Sequence, residues 1–261
     1  MIEADHLLAV ALEAADKAAS LILKESEKSL EVDFKGVTDL VTQVDVAAEE
    51  IIIETVRTHF PEHQFLAEEG GIEQSDSEYL WVIDPLDGTT NFVHGYPLFA
   101  VSIALYQENR PLTGVVNHIS SGEIYTATAG GGAFCNGKAL QVSKTKELTK
   151  SLLATGFPYT HDQIWSHNME HFKLLTDRTQ GVRRAGAAAL DFCHVARGWL
   201  DGFWEYQLGA WDMAAGVLIV EEAGGRVSKM NDESFVLMER EVVASNGLIH
   251  QELLEHLNRE T

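Results

Sequence analysis

Two aspartates follow an apolar, strand-like run in the stretch WVIDPLDGTTN, residues 81 to 91, with only Pro85 and Leu86 between them. The Gly88, Thr89 and Thr90 that come next are turn and helix-start residues, so Asp84 and Asp87 stand where a strand hands over to a helix. Open α/β sheets place their ligands at such junctions. Like charges this close repel, and a divalent cation with oxygen ligands is the commonest way to hold them together. Pro85 stiffens the turn, because its φ is fixed and it has no amide hydrogen. Two further acidic positions share the context: Glu68 and Glu69 end the run QFLAEE, and Asp212 opens the helical segment WDMAAGVLIVEEAGG. Singly, Glu68 reads as a strand end and Asp212 as a first-turn acid favoured by the helix dipole. Together they could converge on one sheet edge.

The amides of Gly88, Thr89 and Thr90 add the complementary half, since a helix start binds anions such as phosphate. A cation site beside an anion site describes metal-assisted phosphoester hydrolysis. Other chemistries fit less well. PLDGT is similar to the Asp-x-Asp-Gly-Thr of phosphatases with an aspartyl nucleophile, but Pro85 fills the nucleophile's place, which argues against a covalent intermediate. HNMEH, residues 167 to 171, fits the H-x-x-E-H pattern of zinc peptidases and would put His167 and His171 on one helix face. In a chain with 11 histidines so short a match arises readily by chance. A non-enzymatic interaction protein on an old fold is the third class, and intact acidic clusters argue against it as the main activity.

The elements that must position these residues are legible from periodicity. Leu7, Leu8, Ala11, Ala14, Ala15, Ala18, Leu21 and Ile22 recur at helical spacing, and a second helix runs from about Val44 to Phe60, closed by Pro61. Strand-length apolar runs follow in QFLAEE, YLWVID, FAVSIALYQ, LTGVVNHI and EIYTATAG. The second half alternates: SLLATGF, a helix near 163 to 178, GVRRAG, a helix near 187 to 197, LDGFWEYQ, a helix near 211 to 223, two strands and a closing helix. The expected fold is a layered α/β/α/β/α sandwich of the α+β class, a single domain over 1–261 with a strand-rich part to about 150 and an alternating part from about 151. Gly130, Gly131 and Gly132 lack the Gly-Lys-Ser/Thr ending of a P-loop and are read as a hairpin with an Asn136-Gly137 turn.

The formal net charge of −21, with no basic run longer than Arg183-Arg184, excludes a nucleic-acid surface. That arginine pair could serve a partner contact. Cys135 and Cys193 have no metal-ligand spacing and suggest no disulfide, hence a reducing compartment. An acidic amino end and the lack of any run approaching ~20 apolar residues predict a cytoplasmic protein with no membrane span.

With these residues in hand, nearly the whole chain resembles the inositol monophosphatase family of the magnesium-dependent, lithium-sensitive phosphatase superfamily. WVIDPLDGTTNFVHGYP and WDMAAGVLIVEEAGG match its two signatures, and KGVTDLVTQVD and FLAEE match its upstream pattern. The resemblance implies a phosphomonoesterase acting on inositol 1-phosphate or a related polyol phosphate, with fructose 1,6-bisphosphate and histidinol phosphate as alternative substrates on the same fold. It implies that Glu68, Asp84 and the Leu86 carbonyl bind a first magnesium ion, and that Asp84, Asp87 and Asp212 bind a second, with a weaker third sharing Glu68. Asp45 and Thr89, with Glu68, would act on the attacking water; Gly88 and Thr89 would hold phosphate; Asp87, Ala188 and Glu205 would face the alcohol; Lys35 would sit in a mobile loop over the metals. A homodimer is also implied, with the glycine-rich middle segment a place to seek its interface. The chain departs from animal members by having Gly209-Ala210 before Trp211-Asp212, where those carry His-Cys, so lithium sensitivity is not implied. TTNF at 89 to 92 sets it apart from the nucleotide-bisphosphate branch.

Overall fold

The structure, a computed structural model, describes residues 4–26, 32–34 and 40–258. Helix α1 (Ala4–Ser26) is followed by β1 (Val32–Phe34), β2 (Leu40–Thr42), α2 (Gln43–His59), β3 (Gln64–Ala67), β4 (Gly71–Glu73), β5 (Tyr79–Asp87) and the short α3 (Thr89–Val93). Five strands then run without a helix: β6 (Ala100–Gln107), β7 (Arg110–His118), β8 (Glu123–Thr128), β9 (Gly132–Cys135) and β10 (Lys138–Ala139). The alternating part holds β11 (Leu153–Thr155), α4 (Gln163–Arg178), β12 (Val182–Arg183), α5 (Ala188–Ala196), β13 (Gly202–Tyr206), α6 (Ala210–Glu222), β14 (Arg226–Ser228), β15 (Glu241–Ser245) and α7 (His250–Leu257).

Period-two alternation in β5 sorts the layers. Trp81 and Ile83 point into a cluster with α1 and α2, whose buried stripes of Ala11, Ala14, Ala18, Ala48 and Ile52 pack on one face of an eight-stranded sheet. Val82 points the other way, into a cluster with Phe192 of α5 and Met213, Val217 and Val220 of α6. That cluster also takes in Ala154, Phe203, Val242 and Ala244 of a five-stranded sheet. The opposite face of that second sheet, with Leu153, Trp204 and Val243, packs on Leu175 of α4 and on Leu253 and Leu254 of α7. The order is therefore α/β/α/β/α, as the run of elements predicts. The small side chains Ala214 and Ala215 let α6 lie close to Gly114 of β7, where an added Cβ would stand 3.1 Å from the Ala215 carbonyl oxygen.

The larger sheet has the order β10-β9-β8-β7-β6-β5-β3-β4, antiparallel except where β3 lies parallel to β5. The Asn136-Gly137 hairpin is present, with φ of 46° and 75° at the two turn residues and Lys138 opposite Cys135. Both angles suit a two-residue hairpin turn. In the neighbouring glycines the amides of Gly130 and Gly132 donate to the Glu222 carboxylate at 2.7 and 2.8 Å. Both cysteines are free and buried, and no described helix is long and apolar enough to cross a membrane.

Candidate active site

Residues three apart on a regular strand face opposite sides of the sheet, yet Asp84 and Asp87 share one. The reason is a β-bulge: Asp84 pairs with Ser102 and Asp87 with Ala100, so Pro85 and Leu86 oppose the single residue Val101. Pro85 is tolerated there because the bulge interrupts the ladder. Leu86 turns into the α1/α2 cluster, while both aspartates turn toward α6. Glu68 follows β3, which is parallel to β5, and its amide donates to the Ile83 carbonyl at 3.2 Å. It therefore lies beside Asp84 at the carboxyl ends of adjacent strands. Asp212 is in the first turn of α6 and accepts the Gly209 amide at 2.6 Å, which holds the carboxylate at the helix start.

Ligand oxygens of Asp84, Asp87 and Asp212 lie within 4.8 Å of one another, the one acidic or histidine cluster of that kind among the described residues. Burial, then Glu68, Asp87 and Asp212, hold the Asp84 carboxyl well above the usual carboxylate range. Asp212 is raised well by burial, Asp87 and Glu68. Burial pushes Asp87 up to about 7, against the hydrogen bonds it accepts. Carboxylates that repel one another and offer only hard oxygen atoms are the donor set of magnesium or calcium, so these residues fit a divalent cation.

Asp87 accepts the amides of Ala188 and Ala189 at 3.1 and 2.9 Å, capping α5, whose own N-cap residue Ala187 has no side chain for the task. The Ala188 amide is thus engaged, and Ala188 offers the cavity a small wall residue. Gly88 starts α3 with φ of 88°, and an added Cβ would stand 2.8 Å from the Leu98 carbonyl oxygen. Its neighbour Thr89 donates its hydroxyl to Asp45 at 2.9 Å, with the Leu86 carbonyl at 3.1 Å. Asp45 is in turn fixed by a capping box at the start of α2, accepting the Thr42 amide at 2.9 Å. Asp45, Leu86 and Thr89 therefore form one buried network.

A cavity of about 530 Å³ brings Glu68, Asp84, Leu86, Asp87, Gly88, Thr89, Ala188, Glu205 and Asp212 to one wall system. Asp45 reaches it through Thr89. Lys35 lies outside the described residues. Sequence reasoning missed Asp191 on α5 and Arg240, both at this cavity, and did not connect Arg184 with it. A carboxylate inside the largely apolar segment AALDFCHVA was the available signal for Asp191. HNMEH has a packing role: the His171 ring nitrogen Nδ1 meets the Tyr206 hydroxyl at 3.2 Å, and no third ligand joins His167 and His171 among the described residues.

Comparisons with known proteins match the chain along nearly its whole length. Residues 3–261 match the profile of the inositol monophosphatase family. The chain is 51% identical to "Phosphatase IMPL1, chloroplastic" of Arabidopsis thaliana over 97% of its own length and 70% of that protein. It is 45% identical to "Nus factor SuhB" of Pseudomonas aeruginosa, covering 95% of this chain and 94% of that one. The solved structure of inositol monophosphatase from Anabaena superposes with a TM-score of 0.87 at 42% identity, over 97% of this chain and 95% of that chain.

Proposed function

The chain belongs to the inositol monophosphatase family, and on that premise we propose that it is a magnesium-dependent phosphomonoesterase hydrolysing inositol 1-phosphate or a related polyol phosphate. The supporting observation is the convergence of Asp84, Asp87 and Asp212 within 4.8 Å of one another, beside the Gly88 helix start. Glu68, Asp84, the Leu86 carbonyl, Asp87 and Asp212 would hold two or three magnesium ions. Once bound, magnesium supplies the positive charge that offsets these carboxylates, polarises the phosphoryl group and acidifies water.

The chain's own groups do the rest. The helix-start amides of Gly88 and Thr89, which have no partner inside the helix, hold the phosphate. Thr89 Oγ, donating to Asp45 Oδ1 at 2.9 Å, keeps its lone pairs for an attacking water and relays a proton to that carboxylate. No side chain needs to attack phosphorus. Glu205 accepts hydrogen bonds from hydroxyls of the alcohol, with Asp87 and Ala188 lining its place.

The test is phosphate release from inositol 1-phosphate, fructose 1,6-bisphosphate, histidinol phosphate and 3′-phosphoadenosine phosphate, with magnesium and with chelator, beside Asp84→Asn. Magnesium-dependent turnover strongest on inositol 1-phosphate and lost in the variant supports the reading. Stronger turnover of another ester moves the substrate within the family, and no turnover on any refutes the enzyme. A second reading, an interaction role, is favoured by the Nus factor name of the P. aeruginosa relative; it predicts partner binding that survives Asp84→Asn. Family membership also supports a homodimer, which sedimentation would register as about twice the 28.8 kDa chain mass.

A further inference from the structure

Among the charged groups of the cavity that this chemistry leaves idle are Asp191 and Arg184. Asp191 is 2% exposed, and the other buried residues of its helix are all apolar. Its Oδ1 has no hydrogen-bond partner among the described residues. A buried acceptor left without a donor costs about 1–3 kcal/mol, so a carboxyl kept at a cavity wall under that penalty points to a donor that arrives with a ligand.

Arg184 supplies the second observation. Its Nη1 stands 2.6 Å from where a Cβ on Gly186 would be, and Gly186 has φ of 82°. At Gly156 the same holds for an acid: a Cβ there would fall 2.0 Å from a Glu205 carboxylate oxygen. Two glycines thus clear space for a guanidinium and a carboxylate at one cavity. The positive charge of Arg184 reaches both Asp191 and Glu205. Among the described residues it forms no ion pair with either, which leaves its donors for a ligand.

We propose that Asp191 and Arg184 extend the hydroxyl-accepting place of Glu205 so that it reads a second, neighbouring hydroxyl of a phosphorylated polyol; this rests on the phosphomonoesterase reading above. A hydroxyl donates one hydrogen bond and accepts others, so it answers a carboxylate and a guanidinium together. An ammonium group can only donate: Asp191 and Glu205 can accept from it, whereas the Arg184 guanidinium repels it and finds no acceptor on it. Sites built for a hydroxyl discriminate steeply against analogues that lack it, because the polar groups are then left unpaired. Arg184 thereby biases the subsite toward hydroxyl-rich esters such as inositol 1-phosphate and against amine-bearing ones such as histidinol phosphate.

The experiment measures kcat and KM for wild type, Asp191→Ala and Arg184→Ala on inositol 1-phosphate, histidinol phosphate and p-nitrophenyl phosphate, with thermal melts of each. In both variants the kcat/KM ratio of inositol 1-phosphate to p-nitrophenyl phosphate should fall about tenfold, mainly through KM. Arg184→Ala should also raise histidinol phosphate relative to inositol 1-phosphate. Ratios within about twofold of wild type in both variants overturn the subsite. So does an equal loss on all three esters with a lowered Tm, which would assign Asp191 to the framework. A wild type that prefers histidinol phosphate overturns the subsite and leaves the phosphatase standing, whereas a wild type inert on every ester removes both.

Discussion

Replacing Asp84 by asparagine removes one charge from a cluster whose ligand oxygens lie within 4.8 Å of one another. The amide oxygen of asparagine can still accept the Leu86 amide, now 3.0 Å from Asp84 Oδ1, so the bulge should survive. Two unit charges at that separation repel by about 3 kcal/mol at an effective dielectric of about 20. The raised pKa values of all three aspartates mean that part of this is already relieved by protonation. The net gain of the metal-free variant is therefore roughly 1–3 kcal/mol. For a chain of this size each kcal/mol moves Tm by about 2–4 °C, so in chelator the variant should melt about 2–12 °C above wild type. Magnesium should reverse the order. At 100 times its Kd an ion that binds only the folded state adds about 2.7 kcal/mol to wild type, while the variant has lost a ligand. Thermal unfolding in chelator and in magnesium, with phosphate release at both, reads the effect. A variant that melts below wild type in chelator, or turns over near the wild-type rate, refutes the reasoning.

Three other perturbations test separate parts of the structure. Gly88→Ala should destabilise by about 2–4 kcal/mol and abolish turnover, because its φ of 88° and the Leu98 carbonyl 2.8 Å from the new Cβ both oppose it; unchanged melting would show that the turn is not needed. Glu205→Gln should change preference among alcohols more than the rate on a hydroxyl-free ester, and equal losses on every ester would count against recognition by this group. Burial lowers His250 from 6.5 to about 4, and both its ring nitrogens meet serine hydroxyls, of Ser228 and Ser245, at 2.9 and 2.8 Å. The unfolded chain takes up that proton first, so the contribution of His250 to stability is complete above pH 6.5 and is lost, by up to about 3 kcal/mol, as pH falls toward 4. His250→Asn should flatten the decline of Tm across that window, and an identical slope would refute the assignment.

The bulge at Pro85 and Leu86 also explains how one short motif couples the two sheets. Asp87, carried by β5 of the larger sheet, caps α5, which packs against the strands of both. A charge at that position therefore orders the helix start as well as the acidic cluster. In chelator Asp87→Ala gains the same relief of repulsion but loses the cap, worth about 1 kcal/mol, so it should be stabilised less than Asp84→Asn. A smaller gain at Asp87 than at Asp84 distinguishes the carboxylate that caps a helix from its neighbour, and equal gains would refute the capping role.

Much of this molecule follows from local pattern. The alanine and leucine stripe of α1 can be buried only as a helix, and the bounds near 163–178 and 211–223 agree with Gln163–Arg178 and Ala210–Glu222 because caps and apolar periodicity act over a few residues. The chemical type of the site was legible for the same reason, since DPLDGTT, Glu68 and Asp212 are hard oxygen donors at strand ends and a helix start. The common face of Asp84 and Asp87 was not, because strict alternation puts residues three apart on opposite sides and only pairing with β6 creates the bulge that reverses this. Asp191 was passed over because an acid in a helix reads as solvent-facing until the sheet behind it is in place. Local residue spacing determined the elements and the donor atoms; which carboxylates share one cavity, and which of them lack a partner, depended on strand pairing and burial between segments more than a hundred residues apart in the chain, which no local pattern records.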